Sequence, residues 1–257
     1  MRYSDRPNFM KEESLKGGLD SSVWGDIEIQ EISRIQKFVG NTLSDNWRSI
    51  PHVTHHEEVD ITGLDVERKR LSADSGVNIT VLAYLVKAAV SGLQRFPKFN
   101  ASIDDTGNNL ILKKYYNIGY AVDTPRGLLV PVVHNADQKD IVEIASEVVR
   151  TSMLAREKGL PIGKMSGGSL TISSLGSIGG TAFTPIINAP EVAILGVTKA
   201  YNKPRNIDGE LIWRTMLPIS LSYDHRVING VDAARFCLCV GDELARYCTG
   251  NDLECNK

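Results

Sequence analysis

The 257-residue sequence predicts an α/β fold, a two-layer sandwich with a mixed β-sheet. Apolar segments of helical and of strand period alternate along the chain without a strict βαβ repeat. Two adjacent pairs of strand segments are joined by turns too short for a crossover helix, which forces antiparallel neighbours into the sheet. The length suffices for one large core, and the hydrophobic 42% of the residues is spread along most of the chain. There is no internal repeat and no low-complexity core.

Residues 1–26 are polar and punctuated by Pro7, Gly17, Gly18 and a serine pair, so they read as a tail or linker remnant, leaving 27–257 as one folded domain. Ile32, Ile35, Phe38, Val39 and Leu43 then recur at helical spacing, and Asn46-Trp47-Arg48 closes that segment. H-V-T-H-H-E-E-V-D-I-T is an extended strand in which His55 and His56 point to opposite faces, which argues against paired metal ligation. T-V-L-A-Y-L-V-K-A-A-V-S-G-L is apolar around much of its circumference, a buried helix that stops near Pro97.

N-L-I-L-K, I-G-Y-A-V-D-T and L-L-V-P-V-V follow as strands, the last two joined across a P-R-G turn. A helix from about Ile141 to Lys158 carries Ile141, Ile144, Val148 and Val149 on one side. After G-G-S-L-T-I-S-S-L-G-S-I-G-G come strands E-V-A-I-L-G-V and M-L-P-I-S-L-S-Y, then an amphipathic helix from about Val231 to Tyr247.

Lys plus Arg number 29 and Asp plus Glu 31, a near-balance that argues against an electrostatic nucleic-acid partner. No apolar run approaches the roughly 20 residues of a membrane span. The start, M-R-Y-S-D-R-P-N-F, lacks the apolar segment of a signal peptide, so a cytoplasmic location is expected. Cys237, Cys239, Cys248 and Cys255 cluster at one end without metal-ligand spacing and read as reduced thiols. No metal site is expected.

Two segments carry chemistry. In S-Y-D-H-R-V-I-N-G, His225 stands at the end of an apolar strand, where a substrate can reach it and an imidazole can exchange a proton at neutral pH. Alone, it reads more readily as a structural histidine. In T-I-S-S-L-G-S-I-G-G, Ser173 and Ser174 end a short strand and precede Gly176, Gly179 and Gly180, which permit close backbone approach of a ligand. A hydroxyl there can stabilise an oxyanion or act as a nucleophile, although the G-x-S-x-G elbow is absent. The glycines also resemble a phosphate cradle, without the P-loop lysine or the full dinucleotide pattern.

From about Trp24 to Tyr247 the chain resembles the catalytic domain of the dihydrolipoamide acyltransferases, the E2 cores of 2-oxo acid dehydrogenase complexes, related to chloramphenicol acetyltransferase. The blocks that carry the resemblance are E-I-S-R-I-Q-K, I-P-H-V-T, V-D-I-T, K-F-N-A-S, I-G-Y-A-V-D-T-P-R-G-L-L-V-P-V, T-I-S-S-L-G-S-I-G-G-T-A-F-T-P-I-I-N-A-P-E-V-A-I-L-G-V and D-H-R-V-I-N-G.

The resemblance implies a chloramphenicol acetyltransferase-like sandwich and an acetyl transfer between dihydrolipoamide and coenzyme A by direct thiol attack on a thioester. It makes His225 the base, Ser173 the oxyanion donor, and Arg34 the partner of Asn229. Family members carry aspartate or asparagine at the Asn229 position, so a positioning role is expected there. Ser174, Gly176, Gly179 and Gly180 would line the coenzyme A or lipoyl channel. The serine block resembles the pyruvate-complex branch, although Ser177 stands where close relatives have histidine.

The implied partners are a homotrimer whose sites lie between subunits, a lipoyl domain outside this chain, and E1 and E3 components bound through regions absent here. The polar end C-T-G-N-D-L-E-C-N-K, with Leu253 its one large aliphatic residue, argues against the larger cages that family members form. Two other readings remain: a free-standing acetyltransferase using coenzyme A with a small acceptor, and a silent scaffold of the same fold.

Overall fold

A computed structural model describes residues 25–125 and 127–247. The chain divides into two compact units, Met1–Arg34 and Ile35–Lys257. In the first, residues 25–33 form neither helix nor strand. Most of the expected tail, and the end that carries Cys248, Leu253 and Cys255, lie outside the described residues.

In chain order, helix α1 (Arg34–Ser49) leads to strand β1 (His52–Asp60), then to helices α2 (Thr62–Ser75) and α3 (Val81–Arg95). Six short strands follow: β2 (Ala101–Ile103), β3 (Leu110–Leu112), β4 (Ile118–Tyr120), β5 (Val122–Thr124), β6 (Gly127–Leu129) and β7 (Val132–Val133). Helix α4 (Ile141–Glu157) precedes β8 (Leu170–Ser174), β9 (Ala193–Val197), β10 (Tyr201–Ile207) and β11 (Glu210–Asp224), and α5 (Gly230–Ala245) is the last helix described.

The main sheet has the order β1-β11-β9-β8-β4-β7, with β10 also paired to β11. Its β4/β8 and β8/β9 pairings are parallel, and the others are antiparallel. The mixed sheet is therefore the expected one. One connection between parallel strands, β4 to β8, carries α4; the other, β8 to β9, contains no helix.

Strand period sorts the two faces. Ile118, Leu170, Ile172, Leu195, Ile219 and Leu221 share a core with Leu85 and Ala89 of α3 and with Phe236 and Val240 of α5. α3 is buried from Ala83 to Leu93 at nine positions, as its apolar circumference demands. On the opposite face lie Ser173, Gly196 and Ser220, aligned across three strands. The β8-to-β9 connection passes over this face: a Cβ on Gly196 would stand 2.8 Å from the Phe183 ring, and Ile187 packs with Ile50 and Ile194.

Three expectations need correction. The first helix starts later than the spacing suggests: Ile32 precedes it, and among the described residues Val39 and Leu43 are half-buried while Phe38 is 74% exposed. α4 begins where expected, behind an Asp140–Glu143 capping box, but Val149 faces outward at 37% exposure while Ile144 and Val148 are buried. β10 was not expected at all, because Pro204 and a polar composition disguise it. Its signal is Asp208-Gly209, a two-residue turn with both φ angles positive that closes the β10–β11 hairpin.

Candidate active site

β11 is buried from Met216 through Asp224, and the chain then turns sharply. The Asp224 carboxylate, 2% exposed, accepts hydrogen bonds from Arg226 Nη2 at 2.6 Å, Arg226 Nε at 2.9 Å and the Arg226 backbone N–H at 3.0 Å. The Asp224 carbonyl accepts from the Val227 and Ile228 amides, both at 3.0 Å. This pairing fixes a turn that leaves His225 exposed, with its own N–H donating to Pro51 O at 3.1 Å. The Asp224 carboxylate raises the pKa of the Arg226 guanidinium further above its ordinary value. Neither Asp224 nor Arg226 was singled out from sequence. The available signal was their opposite charge on either side of the histidine.

Asn229 is the N-cap of α5, its side-chain oxygen accepting from Asp232 N at 2.8 Å. That bond needs an acceptor oxygen and no charge. Ser173 is half-buried near the end of β8, and Ser174 after it is exposed. The following loop is tied back by Leu175 N to Val197 O at 2.7 Å and Gly179 N to Leu175 O at 3.0 Å. Gly179 and Gly180 adopt φ of 147° and 92°, conformations that side chains disfavour. Gly176 lies against the Ser174 hydroxyl and the Thr198 carbonyl, and Ser177 is exposed.

The fold does not bring Ser173 and His225 together in one chain. Ser173 is level with Ser220 through Gly196. From Ser220, β11 continues four residues to Asp224, about 13 Å at the rise of a strand, and His225 lies beyond. A base and an oxyanion donor serving one reacting centre must both come within about 3 Å of it. Arg34 opens α1 as the last residue of the first compact unit, whereas His225, Ser173 and Asn229 belong to the second.

Elsewhere, histidines and cysteines make structural contacts. His52 donates from Nδ1 to Ile50 O at 2.8 Å and accepts the Ile187 amide on Nε2 at 3.0 Å, so both ring nitrogens are used. His56 bonds Ser220 Oγ at 2.9 Å. Cys237 and Cys239 are buried and free, and burial pushes the Cys237 thiol up to about 12. Among the described residues, no group of three His, Cys, Asp or Glu side chains could hold a metal ion. No helix among them is long and apolar enough to cross a membrane.

The fold is a two-layer sandwich on a mixed sheet, an architecture that a chloramphenicol acetyltransferase shares with a TM-score of 0.56 at 18% identity. The chain belongs to the family of 2-oxoacid dehydrogenases acyltransferase catalytic domains, whose model matches residues 25–247. The dihydrolipoyllysine-residue acetyltransferase component of the pyruvate dehydrogenase complex of Cupriavidus necator is 51% identical over 231 residues. That match covers 89% of this chain and 41% of the relative, so the chain spans about two fifths of its length.

Two solved structures reach a TM-score of 0.86, each covering 88% of this chain and 95% of the other. One, 49% identical, comes from work on the role of a serine, a histidine and an asparagine in the catalytic mechanism of Azotobacter vinelandii dihydrolipoamide acetyltransferase. The other, 50% identical, is the cubic core of a pyruvate dehydrogenase multienzyme complex.

Proposed function

We propose that this chain transfers an acetyl group between dihydrolipoamide, carried on a lipoyl domain outside the chain, and coenzyme A. The observation that carries the reading is a shared spacing. In the Azotobacter enzyme the serine precedes the histidine by 52 positions and the asparagine follows it by four. Ser173, His225 and Asn229 stand at the same intervals, on a strand end, an exposed turn and a helix cap.

A thiol with a pKa of about 8.5 is mostly protonated at neutral pH. His225 takes that proton, and the thiolate attacks the thioester carbonyl carbon. The carbonyl oxygen gains the charge and accepts a hydrogen bond from Ser173. Collapse expels the other sulfur as a thiolate, which recovers the proton from the imidazolium. No acyl-enzyme forms. Ser174, Gly176, Gly179 and Gly180 would flank the thiol channel, and Arg34 would hold Asn229.

Because Ser173 and His225 stand far apart on one sheet, the complete site needs a second copy of the chain, with serine and histidine from neighbouring subunits of a homotrimer. Docking to E1 and E3 components belongs to other parts of such a protein, and its place is the cytoplasm.

A spectrophotometric assay with acetyl-CoA and dihydrolipoamide tests the reading. Wild type is expected to turn over, His225→Ala to lose nearly all activity, and Ser173→Ala to lose ~10²- to 10³-fold in kcat. Transfer to a small amine or alcohol but not to dihydrolipoamide would assign the free-standing acetyltransferase instead. No transfer at all would assign a scaffold.

A further inference from the structure

Glu191 lies outside every role assigned above, yet it is buried at 5% exposure. Its Oε1 accepts a hydrogen bond from Thr171 Oγ1 at 2.9 Å, while Oε2 is buried without a hydrogen-bond partner among the described residues. Two glycines make room for this pair. A Cβ on Gly168 would stand 2.5 Å from Glu191 Oε1, and one on Gly119 would stand 2.8 Å from Thr171 Oγ1. Lys113 is nearby, its ammonium donating to Gly168 O at 3.0 Å. A carboxyl with one oxygen left without a close donor is costly to bury, and an apolar pair would fill the same space without that cost.

Its location shows what the carboxyl contacts. Thr171 precedes Ser173 by two residues on β8, so both project from one face about 7 Å apart. On the other side, the carbonyl of Val192, the residue after Glu191, accepts the Asp224 amide at 2.9 Å. Asp224 in turn fixes the turn that presents His225. Residue 191 thus bonds through its side chain to the strand that carries Ser173, and its chain neighbour Val192 bonds through its carbonyl to the segment that carries His225.

We propose that Glu191 is a positioning residue for acyl transfer: its hydrogen bond from Thr171 holds β8 against the start of β9 and so sets the placement of Ser173 and of the His225 turn. The proposal rests on the acetyl-transfer reading. Its test compares Glu191→Ala, Glu191→Gln, Thr171→Val and Thr171→Ser with wild type, using acetyl-CoA and dihydrolipoamide well below each melting temperature.

Removing either partner is expected to lower kcat ~10- to 100-fold, the scale of sub-ångström to ångström misplacement, while KM for both substrates stays within about twofold. Glu191→Gln keeps an acceptor and Thr171→Ser keeps a donor, so both are expected to retain at least about a third of kcat. The Glu191→Ala/Thr171→Val double variant should lose no more than the worse single one. Thr171→Val is nearly isosteric and carries the test if Glu191→Ala fails to fold. Wild-type kcat in Thr171→Val, with only a lowered melting temperature, would overturn the inference and leave the function reading intact. An inactive wild type would overturn the function reading itself.

Discussion

At Asn229 the side-chain oxygen takes the Asp232 amide at 2.8 Å, a bond that a carboxylate makes equally well. Asn229→Asp is therefore expected to keep the cap and much of the activity. Asn229→Ala should lose about 1 kcal/mol of stability, measured by urea unfolding. A severe loss of turnover in the aspartate variant at unchanged stability would point to chemistry in the amide itself.

Glu191 gives a second prediction at this scale. Burial pushes its carboxyl up from 4.5 to about 7, opposed by the hydrogen bond from Thr171 and the charge of Lys113. The unfolded chain ionises first, so between pH 4.5 and 7 the folded state holds the extra proton. Stability then falls as pH rises through that window, by about 3 kcal/mol in all at 1.36 per unit, and the penalty is complete above it. Glu191→Gln has no such titration. Its unfolding free energy is expected to decline less than wild type's from pH 5 to 7.5, and equal slopes would refute the assignment.

At the scale of elements, α3 and α5 touch where Gly92 meets Phe236. A Cβ on Gly92 would lie 2.7 Å from the Phe236 ring, which is fully buried and stacked on Phe99 with centroids 4.3 Å apart. Gly92→Ala is expected to destabilise despite the ~1 kcal/mol that alanine adds to a helix, since overpacking costs about 1–3 kcal/mol. A raised urea midpoint would show that the helices separate freely. Element boundaries were legible where local chemistry marks them, as at the Asp140–Glu143 box of α4. β10 was not, because its polar residues and Pro204 belong to a strand that pairs only with β11 and carries little of the core. Val149 was misread for the opposite reason: apolar residues at helical spacing do not report which of them finds a neighbour.

For the whole molecule, the sheet register separates Ser173 on β8 from the end of β11, beyond which His225 stands. Mixing Ser173→Ala and His225→Ala chains, each nearly inactive, is therefore expected to restore activity. In a randomly mixed cyclic trimer, about a quarter of the sites receive an intact serine from one chain and an intact histidine from the next. Co-purified mixed trimers measured against each pure variant check this. A mixture no more active than its parents would sink the shared site. Sedimentation of the wild type separates a trimer from a cubic assembly.

The sequence by itself determined the fold class, since the period of its apolar residues separates helix from strand, and it offered residues 173, 225 and 229 as candidates because their types encode what they can donate or accept. Tertiary structure decided how those groups are held. Asp224 and Arg226 became a clamp because one lies 2% exposed beneath the other's guanidinium, and Glu191 acquired an altered acidity because burial strips its water away. Register, too, is set by packing between strands distant in the chain. That is why the separation of Ser173 from His225, on which the proposed shared site rests, belongs to the folded sheet and not to any motif.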